Sequence, residues 1–270
     1  MSKVQIVVAT MKQQDISLYK KMNAKCDLII ANQADFTDYN KTEIEGNLVE
    51  LVSTETKGVG LNRNIGLQYI RDDIILLADD DIVYTDNYCE IIENAFNELC
   101  DADVIVFEME FYKNGVMFEK DSFKTKRLHL NNGLSFGTYQ IAIRNKSFKK
   151  ANLHFSTLFG GGCLYSCGED SKFLIDCYRS GLKVYSYHEK IGNNYRESSS
   201  WFVGYTKKFF YDRGIFAALA FPKTCHLICA YYLFVYRKSG DLRIVEKWKL
   251  MNAGIKNYDN LLTYEEWSNE

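Results

Sequence analysis

Ile74-Ile75-Leu76-Leu77-Ala78-Asp79-Asp80-Asp81 decides how this chain folds. An unbroken apolar run of this length suits a strand buried on both faces. It ends abruptly on three consecutive aspartates. Similar runs lie to either side. Val4 to Ala9, Leu28 to Ala31 and Leu48 to Val52 precede it, and Val104 to Phe107 follows. Between them the pattern turns helical. A helix is expected from Asp15, as N-cap, to Lys25, and a short one after Gly58 and Gly60 carrying Asn62, Arg63, Asn64, Ile65 and Gly66. A third runs from Asn87 to Leu99, with Ile91, Ile92, Ala95, Phe96 and Leu99 on one face. Alternating strands and helices predict an α/β fold, with a mostly parallel central sheet covered by helices on both faces. Ligands of such sheets bind beyond the carboxyl ends of the strands. Thr10, residues 32–35 and residues 79–81 lie there.

After residue 110 the pattern changes. Asn114-Gly115 reads as a hairpin turn, and Thr138 to Ile143 as a strand. Gly160-Gly161-Gly162 is a flexible loop ahead of a helix that opens near Gly168-Glu169-Asp170 and stops at Gly181.

Composition narrows the function classes. In 270 residues, lysine and arginine nearly balance aspartate and glutamate, for a net charge of -2. No basic excess points to nucleic acid as a partner. Eight cysteines with no opening secretory signal read as reduced, cytosolic thiols rather than a disulfide framework.

Two acidic features carry the chemistry. Adjacent aspartates raise one another's pKa unless a cation neutralises them. Mn²⁺ or Mg²⁺ favours carboxylate oxygens completed by substrate phosphates. Asp79-Asp80-Asp81 therefore reads either as a metal–diphosphate site or as a solvated acidic turn. Glu169 and Asp170 read either as a catalytic pair or as acids favoured at a helix N-terminus, where Ser166 and Glu169 have capping-box spacing. The two features together, in this order and behind a five-strand nucleotide-type half, favour the functional reading of both.

The ordered set of segments resembles the family 2 glycosyltransferases of the GT-A fold, of the bacterial capsule and exopolysaccharide type. Val7-Val8-Ala9-Thr10 is similar to the opening strand beside the nucleotide. Gly60 to Gly66 is similar to the Arg-Asn-x-Gly helix start, and Leu77 to Asp81 to the DxD region. Phe159 to Gly162 with Gly168-Glu169-Asp170 is similar to the acceptor loop and Glu-Asp motif, and Arg196 to Trp201 to the late Ser-Thr-Trp segment. One segment departs: the second strand ends Asn32-Gln33-Ala34-Asp35 instead of Val-Asp-Asp-Gly-Ser.

The resemblance implies inverting transfer from a nucleotide-diphosphate sugar, by default UDP-linked, to an acceptor hydroxyl on a saccharide or lipid-linked saccharide. It assigns residues 1–110 to the nucleotide-sugar half, 111–205 to the acceptor half of the same domain, and 206–270 to a C-terminal helical extension. Asp170 becomes the general base, with Glu169 as alternate. Asp81 becomes the principal metal ligand, supported by Asp79, with Asp80 open and His188 as a further candidate. Arg63 is a partner for phosphate or for the acidic cluster, or else a structural ion pair. Thr10 and Asp35 fall near the base and ribose, Gly161 and Gly162 near the acceptor. Trp201 is either a sugar platform or a core residue.

Residues 215–235 are apolar and aromatic but are interrupted by Pro222, Lys223, Thr224 and His226. Neither half reaches the roughly 20 residues needed to span a bilayer. The stretch reads as an interfacial helix pair at the inner face of a membrane, as an ordinary core helix, or as a homodimer interface. Rival readings of the whole chain are a sugar-phosphate nucleotidyltransferase, which would carry a Gly-rich loop where Thr10 to Gln14 has no glycine, and a metal-dependent phosphohydrolase.

Overall fold

The computed structural model describes residues 3–166, 168–195 and 203–269. The chain divides into two compact units, Met1–Thr157 with Glu169–Ser198, and Leu158–Gly168 with Ser199–Glu270.

The first unit is built on one sheet. Its opening strand β1 (Val4–Met11) leads through a short α1 (Leu18–Lys21) to β2 (Asp27–Gln33). The helix expected over 15–25 shrinks to one turn. Asp15 accepts a bond from the Ser17 amide at 2.8 Å, a local turn in place of a cap. Asn23 then takes a left-handed φ of 54° and donates through its amide to Tyr84 O and Asp86. Next come β3 (Asp38–Ile44), β4 (Asn47–Thr54) and α2 (Val59–Leu67). β3 is an addition to the sequence reading. It is a polar, largely exposed edge strand joined to β4 through Glu45-Gly46, both at positive φ. Glu50 on β4 holds the outer layer: Arg71 and the Tyr39 hydroxyl both donate to its buried carboxylate.

The central run is β5 (Ile74–Asp79), followed by β6 (Ile82–Tyr84), α3 (Tyr88–Glu98) and β7 (Val104–Lys113). Asn114-Gly115 turns β7 into β8 (Val116–Lys120), with φ of 51° and 73°, as expected of a two-residue hairpin. A two-residue strand β9 (Lys126–Arg127) and a 3₁₀ turn (Thr138–Gln140) precede β10 (Ile141–Arg144), so the strand expected at 138–143 begins as a turn. Then follow α4 (Asn145–Lys150), α5 (Glu169–Arg179) and β11 (Val184–Tyr195).

The strand order is β3-β4-β2-β1-β5-β10-β7-β11-β6. β4, β2, β1 and β5 are parallel neighbours, as are β7 and β11, whereas β3, β10 and β6 pair antiparallel. The α/β arrangement around a large central sheet thus holds, with parallel and antiparallel pairs mixed. The chain steps outward from β1 to β2 and β4, then returns to place β5 on the other side of β1. That reversal is the topological switch at which open α/β sheets form their ligand crevice.

Burial on both faces explains the continuous apolar runs. Ile6, Val8, Leu28, Ile30, Leu76 and Ala78 pack with Leu18 and Tyr19 of α1 and Ile91, Ile92, Ala95 and Phe96 of α3. Val7, Ile29, Ile75, Leu77 and Val106 face Leu67 of α2 and Phe173, Leu174 and Cys177 of α5. The approach of α2 to the sheet needs Gly66, where a Cβ would lie 2.9 Å from both Ala31 Cβ and Val7 Cγ1. At Gly60 it would lie 2.0 Å from Ser156 O. These contacts seat α2 against β1 and β2 at one end and against the Phe155–Ser156 backbone at the other.

The second unit is helical: α6 (Lys207–Ala220), α7 (Cys225–Val235), α8 (Ile244–Asn257) and α9 (Tyr264–Ser268). α6 and α8 cross closely at Gly214, whose Cβ would lie 2.0 Å from Met251 O. α5 opens at Glu169. The Ser166 amide and hydroxyl donate to buried Asp212 of α6, at 2.9 and 2.8 Å. No helix among the described residues is long and apolar enough to cross a membrane.

Candidate active site

The carboxyl ends of β1, β2 and β4 are tied by a row of polar side chains in register. Thr10 pairs with Asn32, and Asn32 with Ser53. Asn32 donates to Ser53 Oγ and Gln13 O, each at 2.9 Å, and accepts from the Gln13 amide. Asn62, on the first turn of α2, donates to both Thr10 O (3.1 Å) and Ala31 O (2.7 Å), bolting the helix to two strand ends. Its neighbour Asn64 clamps the Phe155 backbone in both directions, at 2.7 and 2.9 Å.

Arg63 lies between these clamps and joins the two acidic motifs. Its Nη2 donates to Asp79 Oδ1 at 2.6 Å, and its Nη1 stands 3.6 Å from Asp170 Oδ1. The Arg63 side chain is only 4% exposed. Its guanidinium lies 5.2 Å from the ring centroid of Phe155, which stacks on Phe173 of α5 at 4.3 Å. Burial opposes the Arg63 charge, but Asp79, Asp170 and Glu169 outweigh it and raise its pKa further. Arg63 thus pairs with the acidic cluster.

Asp170 keeps 34% of its side chain exposed. Thr138 donates to its Oδ1 at 2.8 Å. Desolvation, then the adjacent Glu169 and more distant Asp79, push its pKa up to about 7, against the pull of Arg63 and Thr138. A carboxyl group poised there accepts a proton at neutral pH and releases it readily.

The three aspartates divide rather than converge. Asp79 turns to Arg63, and Asp80 accepts from Thr10 Oγ1 at 2.5 Å. Asp81 accepts through its backbone carbonyl from the Tyr195 amide, and its Oδ1 lies 3.4 Å from Asn194 Nδ2. Among the described residues no three acidic, histidine or cysteine side chains gather as a ligand set. The oxygen donors suit a hard divalent cation held by one or two carboxylates and completed by ligand phosphates. They do not suit a self-contained protein cage.

His188 is not brought to this cluster. It sits exposed on β11, its Nδ1 2.7 Å from Thr125 Oγ1, whereas Asn194 and Tyr195 are the β11 residues that meet Asp81. His188 and Asn194 stand six positions apart on β11, roughly 15–20 Å at the usual rise. Asp35 is exposed just past β2. Gly161 and Gly162 belong to the second unit, in a loop closed by Tyr165 N to Leu158 O and Gly160 N to Tyr165 O. Trp201, with the whole 196–201 segment, lies outside the described residues. Thr138 and Phe155 are additions that sequence reasoning did not select. Neither carries a local signal, since both act only through tertiary contacts.

A comparison with curated proteins finds no match. Among solved structures, the chain is similar to S. aureus TarS 1-349 in complex with UDP-GlcNAc, with 16% identity over 97% of this chain and 74% of that one, and a TM-score of 0.58. The UDP complex of the same fragment gives 14% identity, 97% and 93% coverage, and a TM-score of 0.60. At such identities the likeness is one of fold, and it agrees with the GT-A arrangement. The model of "Glycosyl transferase family 2" matches residues 8–160, more than half of the 270 residues, and the chain belongs to that family.

Proposed function

We propose that the protein is an inverting glycosyltransferase that moves a sugar from a UDP-linked donor to an acceptor hydroxyl, with Asp170 as general base. The observation that carries this reading is the bridge made by Arg63. It brings a carboxylate from the end of β5 and one from the start of α5 to a single buried guanidinium. The S. aureus TarS structures of the same fold hold UDP-GlcNAc and UDP, which supports a UDP-linked donor. In the step itself the acceptor oxygen attacks the anomeric carbon as the bond from that carbon to the diphosphate breaks. The acceptor's proton passes to Asp170, and the electron pair of the broken bond leaves with the nucleotide diphosphate.

Asp81, with Asp79 in support, would hold Mn²⁺ or Mg²⁺, which when bound offsets charge on the departing diphosphate. Thr10 orients Asp80 and, with Asp35, borders the nucleotide. Glu169 adds to the desolvation that raises the Asp170 pKa, and is the alternate base. The acceptor is a saccharide or lipid-linked saccharide of the kind used in bacterial surface polymers.

Thermal unfolding with a panel of sugar nucleotides tests this. A true donor at about 100 times its Kd stabilises by about 2.7 kcal/mol. Most of that gain should require Mn²⁺ or Mg²⁺ and disappear in Asp81→Ala. No shift with any sugar nucleotide, with either cation, would overturn the reading.

The pH profile offers a second test. Asp170 must be deprotonated to act, so kcat/KM should rise with pH through about 7. Glu169 is the largest charge raising that pKa. Glu169→Gln should therefore move the ascending limb to lower pH. A limb that stays in place would show that Asp170 is not the titrating group.

A further inference from the structure

The geometry points to an anionic lipid surface as the partner of α7. Along this helix Cys225 and Cys229 are buried and pack toward α6 and α8, with Tyr232 and Tyr236 partly buried behind them. The opposite side carries large apolar groups that nothing in the second unit covers: Leu227 is 70% exposed, Tyr231 60% and Phe234 66%. Their spacing of four and three residues places them on one stripe. Basic residues bracket that stripe, with exposed Lys223 before α7 and exposed Arg237 and Lys238 after it. The Arg237 guanidinium sits 4.5 Å from the centroid of the Phe234 ring, so charge and apolar surface are contiguous.

Charge selects the occupant. No aspartate or glutamate occurs between Asp212 and Asp241, in a chain that is otherwise slightly acidic. An apolar stripe with cations at its ends and no anions suits a helix lying in the plane of a bilayer interface. There Leu and Phe enter the acyl boundary, tyrosine sits at headgroup level and lysines meet anionic lipid. At 11 residues α7 is too short to span a bilayer, which leaves a parallel orientation.

Flotation of the full chain with phosphatidylglycerol-containing vesicles, against pure phosphatidylcholine, tests this without any sugar donor, so the outcome is independent of the transfer reaction. Binding to the anionic vesicles at low salt, weakened by salt, is expected. Leu227→Ser with Phe234→Ser should lower it about tenfold or more, and Lys223→Gln with Lys238→Gln should remove the preference for anionic lipid. All these positions are exposed, and a circular dichroism melt verifies each fold. Absence of binding at low salt would overturn the proposal, as would binding indifferent to the Leu227/Phe234 pair. Sedimentation showing a dimer that this pair dissociates, without vesicle binding, would give the face to a second copy of the chain.

Discussion

Asp170→Asn is expected to lower kcat by about 10²- to 10⁴-fold, the range general-base catalysis contributes, with little change in donor KM. The amide keeps nearly the same shape and can still accept from Thr138, so α5 and its N-terminal turn stay in place. What it loses is the ability to take the acceptor's proton. Stability supplies the control. The folded pKa of about 7 lies above the unfolded value near 4. The native state therefore holds this proton more tightly. The stability linked to Asp170 is present in full below the unfolded pKa and is lost as pH rises through about 7. Asparagine does not ionise, so the variant should match the wild type below about pH 4 and exceed it increasingly as pH rises towards about 7, with the gap constant above that. Turnover close to wild type in a folded protein would remove Asp170 from the reaction.

Legibility of the sequence followed how local each cause was. The buried parallel strands were readable because burial on both faces leaves a continuous apolar run, as in Ile74 to Ala78. β3 was not readable, because an edge strand facing water has the composition of a loop and is held by pairing to β4 and by Tyr39 on Glu50. α1 was overextended because Asp15 forms its own turn with Ser17. At the site, Asp79 and Asp170 stood out as acids at a strand end and a helix start. Their meeting through Arg63 could not be read, since it depends on Gly66 letting α2 approach the sheet and Gly60 letting it approach the Phe155–Ser156 backbone. Thr138, which lies 32 residues from Asp170, left no pattern in the chain. His188 failed for the reverse reason: its residue type suggested a ligand, but the register of β11 delivers Asn194 and Tyr195 to Asp81 instead.

Arg63→Met should lower stability and shift the pH profile together. The substitution keeps the apolar packing on Phe155 but deletes the cation between Asp79 and Asp170. Removing one partner of a buried pair costs about 3–5 kcal/mol, because the remaining charge is left uncompensated. Both carboxylates retain about a third of their exposure and can regain some water. The lower end, about 3 kcal/mol, is therefore expected in urea unfolding at pH 8. Loss of Arg63 also removes the chief charge holding the Asp170 pKa down, so the ascending limb of kcat/KM should move to higher pH. Arg63→Lys keeps a charge but lacks the planar fork that reaches two carboxylates at once, and should fall between the two. These linked effects separate the bridge from a role confined to binding donor phosphate. A phosphate contact alone would raise donor KM while leaving the unfolding midpoint and the pH profile where they were. If Arg63→Met costs less than about 1 kcal/mol and the limb does not move, the two acidic motifs are not coupled through this residue. Asp170 would then owe its basicity to burial and Glu169 alone.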